Sequence, residues 1–187
     1  MKKVIVITGV TRGLGKTLYD YYMKCEEFTT VGTSRYKSEV SNIYKLDITD
    51  SVSIENFMEI VLEEYKVIDV LVNNAGVNII GSVEGTSISE LEGQMACNFY
   101  GTIGMMKVFL EIFRRQGHGR IINISSIGSR ISLPYNSGYS ASKSALDAYC
   151  ESLYYELFDT TIDISLIEPV GLEITDERPN LKYINHE

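Results

Sequence analysis

The chain has 187 residues, the size of one domain, with 44% hydrophobic and 22% charged residues, which excludes a disordered chain. Its formal net charge of −8 disfavours binding to nucleic acid or to an anionic membrane surface. Cys25, Cys97 and Cys150 are odd in number and far apart, which suits a reducing compartment and gives neither a disulfide framework nor metal-ligand spacing. No stretch reaches the roughly 18 apolar residues of a membrane span, and the run Val4 to Ile7 is too short for a signal-peptide core, so a cytoplasmic protein is expected. The acidity is concentrated late: residues 151–187 hold Arg178 and Lys182 against nine carboxylates.

Val4 to Ile7 is a β-branched run ending at Thr8-Gly9 and reads as a buried strand. Leu14 to Met23 reads as a helix, Phe28 to Thr33 as a second strand and Ile43 to Leu46 as a third. Asp50 or Ser51 can cap a helix whose Ile54, Phe57, Met58, Val61, Leu62 and Tyr65 form one apolar stripe. Ile68 to Val72 is a fourth strand, closed by Asn73-Asn74-Ala75-Gly76. A long helical pattern covers about Ser89 to Arg115, and Arg120 to Ile124 is a fifth strand. Ser137 or Gly138 opens a helix through about Leu157, and Ile162 to Ile167 is a sixth strand before Pro169. Short apolar strands alternating with helices predict a parallel sheet covered on both faces, with ligands bound beyond the carboxyl ends of the strands.

Thr8 to Gly15 joins the first strand to the first helix with the spacing G-x-x-x-G-x-G, not G-x-G-x-x-G. Taken alone it reads either as a turn needing positive φ or as a loop that lets backbone N–H groups approach a pyrophosphate. Its position between strand and helix favours the second, with Gly9, Thr11, Arg12, Gly13, Leu14 and Gly15 as contacts. At the end of strand two, Ser34 stands where an NAD site carries an acid, followed by Arg35. Ser34, Arg35 and Arg12 suit a ribose 2′-phosphate, so NADP(H) is expected over NAD(H); the alternative is that both arginines are solvated surface charges. Asp47, followed by Ile48, can accept from an adenine amino group, or serve a cap or turn.

Tyr139 and Lys143 are i and i+4 on one helix and share a face. A phenol ionises near pH 10, and bringing it down by about three units takes roughly 4 kcal/mol, more than an exposed ion pair supplies. A partly desolvated pair with a cofactor's positive ring nearby could supply it. A lone Y-x-x-x-K is ordinarily a surface pair. Here Ser126 follows strand five, Asn98 lies in the long helix, and Asn74-Ala75-Gly76 follow strand four.

From Lys3 to about Thr175 the chain resembles the short-chain dehydrogenase/reductase family. The resemblance rests on Thr8-Gly9 to Gly15, Asp47, Asn73-Asn74-Ala75-Gly76, Asn98, Ser126, and Tyr139 with Lys143, in the family's order. It implies a Rossmann-like doubly wound α/β/α fold. It also implies hydride transfer between nicotinamide and a small-molecule carbonyl or alcohol, with Tyr139 as general acid/base. Lys143 would lower the tyrosine pKa and hold the nicotinamide ribose, Ser126 would orient the substrate oxygen, and Asn98 would hold a relay water. The family's spacing selects Ser126 over Ser125. Ile48, Asn74, Ala75, Gly76, Pro169, Gly171 and Thr175 would complete the cofactor site. A homodimer or homotetramer is implied through helices near 89–115 and 138–158, with Phe99, Met106, Phe109, Leu146, Tyr149 and Leu153 as apolar surface.

Two departures from the family stand out. Val170 looks inserted between Pro169 and Gly171, and 12 residues after Thr175 leave no room for the usual covering helices and seventh strand. The expected organisation is a dinucleotide-binding domain over 1–175 and an acidic, polar tail over 176–187. Three readings follow: an enzyme with an open pocket, an enzyme completed by a partner chain, or a dinucleotide-binding sensor or interaction protein without useful turnover.

Overall fold

The computed structural model describes residues 2–170. Six strands are present there: β1 (Lys3–Ile7), β2 (Phe28–Ser34), β3 (Ile43–Lys45), β4 (Val70–Asn73), β5 (Gly119–Ile124) and β6 (Ile162–Ile167). All pair in parallel, in the order β3-β2-β1-β4-β5-β6. The helices are α1 (Gly13–Tyr22), α2 (Ser51–Tyr65), α3 (Ile88–Met95), α4 (Thr102–Gln116) and α5 (Ser137–Glu156). This is the expected Rossmann-like fold. Chain direction across the sheet reverses between β1 and β4, which opens a crevice beyond their carboxyl ends.

The sheet is buried on both faces because its central strands are apolar on both. Ile5, Ile7 and Val72 pack with Val10 and Tyr19 under α1. Val4, Val6, Leu71 and Ile121 pack against Phe57, Phe109, Phe113 and Leu146 from α2, α4 and α5. Each such side chain contributes about 1.5–3 kcal/mol on leaving water. A polar pair lies within this core: Asn73 of β4 donates to Asn123 of β5 at 2.8 Å, and Asn123 turns its own NH2 toward Met106 and Cys150 sulfurs.

Two expectations are corrected. The long helix is not continuous: α3 and α4 are separated by a π-helical segment, Ala96–Gly101, with Asn98 at its centre. Asn98 is fully buried, and its amide bonds both backbone groups of Val77, so a distant loop competes with regular helical pairing there. Second, Met106, Phe109, Leu146 and Leu153 are not apolar surface for a partner. They are 0–6% exposed and fill this chain's own core, while Phe99 and Tyr149 stay half-buried and meet edge-on. Asp50, not Ser51, caps α2, accepting from Val52 N–H. The fourth strand begins at Val70, two residues later than expected, and extends to Asn73. Among the described residues, no helix is long and apolar enough to cross a membrane.

Candidate active site

The loop between β1 and α1 lies against the turn after β4. The Thr8 hydroxyl accepts from the backbone N–H groups of Asn74 and Ala75, both at 2.9 Å. The Asn74 side chain donates back to the Thr8 and Gly9 carbonyls, so Asn74 is a latch holding the loop. Close approach explains two of the glycines. Gly9 has φ +72°, and a Cβ there would stand 2.9 Å from Ala75 Cα, while a Cβ at Gly15 would collide with the Asn74 amide and the Gly9 carbonyl. Gly13, also at positive φ, borders open space, and no side chain caps the first turn of α1. Thr11 is exposed, and Arg12 and Leu14 are half-buried beside it. An open helix N-terminus lined by glycine is the cradle a pyrophosphate requires.

At the end of β2, Ser34 is buried and accepts from Tyr36 N–H at 3.2 Å, which leaves its hydroxyl proton free to donate elsewhere. Arg35 is exposed, with its guanidinium 6.0 Å from the Tyr36 ring centre. Asp47 forms a turn, accepting from both the backbone and the hydroxyl of Thr49 at 2.9 and 2.7 Å. Partial burial pushes its carboxyl up, but the Thr49 hydrogen bonds, with Arg35 and Lys45, outweigh this and hold it below the usual range. Ile48 beside it is buried.

Tyr139 and Lys143 lie where β4, β5, α5 and the π-helical segment meet. Lys143 is 5% exposed; its ammonium donates to the Ile124 carbonyl at 2.8 Å and stands 5.9 Å from the Tyr139 ring centre. Burial lowers its pKa to about 8, against the opposing pull of Cys97, Asp147 and Cys150. A Cβ on Gly76 would fall 3.2 Å from Asn98 Oδ1, a tight contact, and 3.8 Å from Lys143 Nζ, so this glycine borders both side chains. Ser126 caps the 3₁₀ turn Ile127–Ser129, its hydroxyl accepting from Gly128 N–H at 3.1 Å. Both Ser126 Oγ and the Tyr139 ring edge border Gly128. Ser125 is buried and commits its hydroxyl to Asp147, which leaves Ser126 as the serine beside the tyrosine.

The structure therefore brings Asn98, Ser126, Tyr139, Lys143 and Gly76 together. The Asn98 NH2 bridges the Val77 carbonyl and Ser142 Oγ, and Ser142 donates onward to the Tyr139 carbonyl at 2.7 Å. Pro169 accepts from Ile127 N–H, and Val170 is 71% exposed; Gly171, Thr175 and the acidic tail lie outside the described residues. Sequence reasoning missed Thr8, Ser142 and Asp147 as supports. Ser142 lies inside the Tyr139-to-Lys143 motif, whereas nothing local marks Asp147.

Known proteins bear on this geometry. The family model for short chain dehydrogenase matches residues 3–183. The chain is 38% identical over 172 residues to a 3-ketodihydrosphingosine reductase of Bacteroides thetaiotaomicron, covering 89% of this chain and 63% of that protein. It is 34% identical over 181 residues to the uncharacterized oxidoreductase YusZ of Bacillus subtilis, covering 90% and 64%. The chain thus spans under two thirds of the length of these curated relatives. Among solved structures, a short-chain dehydrogenase from Streptomyces avermitilis superposes with TM-score 0.91 at 28% identity, over 100% of this chain and 72% of that one. ElxO with NADP bound superposes with TM-score 0.84 at 29% identity, over 90% and 73%. On the family match and on the crevice it accounts for, the chain belongs to the short chain dehydrogenase family.

Proposed function

We propose that the chain is an NADP(H)-dependent oxidoreductase acting on a carbonyl or alcohol, with Tyr139 as general acid/base. The observation that carries this is the buried Lys143 ammonium beside the Tyr139 ring, bordered by Gly76 and Ser126. The cradle at Gly9, Gly13 and Gly15 fits a pyrophosphate, and Gly76 leaves room beside Lys143 for a flat ring or ribose. When bound, the dinucleotide supplies or accepts the hydride at the substrate carbon.

The chain's own residues handle the proton. In reduction, Ser126 donates a hydrogen bond to the carbonyl oxygen and polarises it. Tyr139 delivers its phenolic proton to that oxygen as the hydride reaches carbon, leaving a phenolate and an alcohol. Lys143, still largely protonated at neutral pH and buried beside the Tyr139 ring, stabilises the phenolate. Asn98 acts through Val77 and Ser142, fixing the turn after β4 against α5. Arg12, Arg35 and the Ser34 hydroxyl would hold the 2′-phosphate, and one bound NADP in a structural neighbour is consistent with that choice.

For the substrate we infer a ketone bearing apolar substituents. Ile131, Leu133 and Tyr135, on the segment between Ser126 and Tyr139, are 62%, 56% and 62% exposed, and the Bacteroides relative is named for a keto substrate. A homo-oligomer through the π-helical segment and α5 would rest on Phe99, Tyr100 and Tyr149. The absence of disulfides at the three cysteines suits a cytoplasmic location. The test is NADPH oxidation with a panel of alkyl and aryl ketones. Tyr139→Phe is expected to abolish it while leaving NADPH binding intact; binding without turnover in the unaltered chain would instead favour a sensor or interaction protein.

A further inference from the structure

A second set of polar groups lies behind the candidate site, one helical turn beyond Lys143. Asp147 is 8% exposed, and its Oδ1 accepts from the Ser125 hydroxyl at 2.5 Å. Its Oδ2 is buried without a hydrogen bond and faces Arg130 Nε at 3.8 Å. Arg130 in turn holds Glu168, just past β6, at 2.8 Å. Ser144, on the same helix, donates to the Ser129 carbonyl at 2.7 Å. Thus α5, which carries Tyr139 and Lys143, grips both sides of the turn that carries Ser126.

A buried carboxylate is costly unless it is paired and hydrogen-bonded, as Asp147 is by Arg130 and Ser125, and a hydrogen bond to a charged acceptor contributes about 1.5–3 kcal/mol. Asp147 bonds to Ser125, the residue next to Ser126. Apart from its coulombic pull on Lys143, its effect reaches the site by geometry. Ser125 and Ser126 are adjacent, so fixing one hydroxyl toward α5 turns the next residue outward, toward the Tyr139 edge.

We propose that Asp147 is a positioning residue for the reaction: through Ser125 it sets the end of β5 so that Ser126 and Tyr139 address the same substrate oxygen. This rests on the oxidoreductase reading above. Misplacing a reacting group by about 1 Å can cost on the order of 100-fold. Removing the contact is therefore expected to lower kcat while leaving cofactor affinity alone.

The experiment compares the intact chain with Asp147→Ala, Ser125→Ala, their double variant and Asp147→Asn. The readouts are kcat, KM for ketone and for NADPH, and thermal midpoint. The expected result is a fall in kcat of about 10- to 100-fold in each alanine variant, with no further fall in the double, because the two residues act as one unit. KM for NADPH stays within about twofold, and Asp147→Asn, which still accepts from Ser125, recovers most of kcat. If Asp147→Ala does not fold, Ser125→Ala with Ser125→Thr as its rescue makes the same comparison. Unchanged kcat, additive losses, or losses that merely track unfolding overturn the positioning role and leave the oxidoreductase reading standing. An unaltered chain that binds NADPH yet turns over no ketone overturns both.

Discussion

Replacing Lys143 with Met tests whether a charged amine is truly held in the interior. Lys143 is 5% exposed, and burial lowers it from the ordinary 10.5 to about 8. At about 1.36 kcal/mol per pH unit, the charged amine is roughly 3 kcal/mol less favourable in the folded chain than in the unfolded one at neutral pH. Methionine removes that cost but leaves the Ile124 carbonyl without its donor, a loss of about 1–3 kcal/mol, so the net change at neutral pH is small. The pH dependence separates the two contributions. Below the folded pKa both states of the lysine hold a proton and its effect on stability is constant. Above it the native chain has released a proton that the unfolded chain still binds, so stability rises with pH until the unfolded lysine also titrates. Between about pH 7 and 9.5 the unaltered chain gains roughly 2 kcal/mol from this group, and Lys143→Met gains none. Urea unfolding of both proteins at the two pH values measures this, the other titrating groups cancelling in the difference. A difference between the two proteins that stays constant over that range would refute the buried-ammonium argument.

Arg35→Ala is expected to weaken NADPH binding about tenfold, the value of one charge-assisted hydrogen bond, with little change for NADH; equal losses for both by calorimetry would assign Arg35 no role at the 2′-phosphate. Gly15→Ala forces a methyl into the Asn74 amide and the Gly9 carbonyl, so a loss of about 1–3 kcal/mol in stability is expected together with weakened dinucleotide binding, by denaturant titration and fluorescence. Asn98→Ala leaves both backbone groups of Val77 unpaired, and a cost of about 2–4 kcal/mol is expected, with faster amide exchange at Val77 and across residues 96–101.

The strands were legible because β-branched runs bounded by glycine, asparagine and proline leave few alternatives. β6 emerged at Ile162 to Ile167 with the expected bounds, and α5 differed by one residue at its end. The glycine loop and the Tyr139–Lys143 spacing were legible because each is local. The π-helical segment was not: its apolar residues repeat as in any helix, and what shifts the hydrogen bonds is the engagement of Asn98 with Val77, 21 residues away. Met106 and Phe109 were assigned outward because sequence spacing does not say which side of α4 meets the sheet. The latch from Asn74 to Thr8 and the bond from Asp147 to Ser125 were invisible for the same reason, since both close over long stretches of chain.

The pair Asn73–Asn123, set between two largely apolar strands, matters for what it forbids. Aliphatic parallel strands can slide past one another at little enthalpic loss. Here a one-residue slip of β4 against β5 would strand two amides in a dry interior, at several kcal/mol. The two strands deliver Asn74-Ala75-Gly76 and Ser125-Ser126 immediately afterwards. A buried amide bond thus serves as a ruler, keeping the turn after β4 and the turn after β5 level at the crevice.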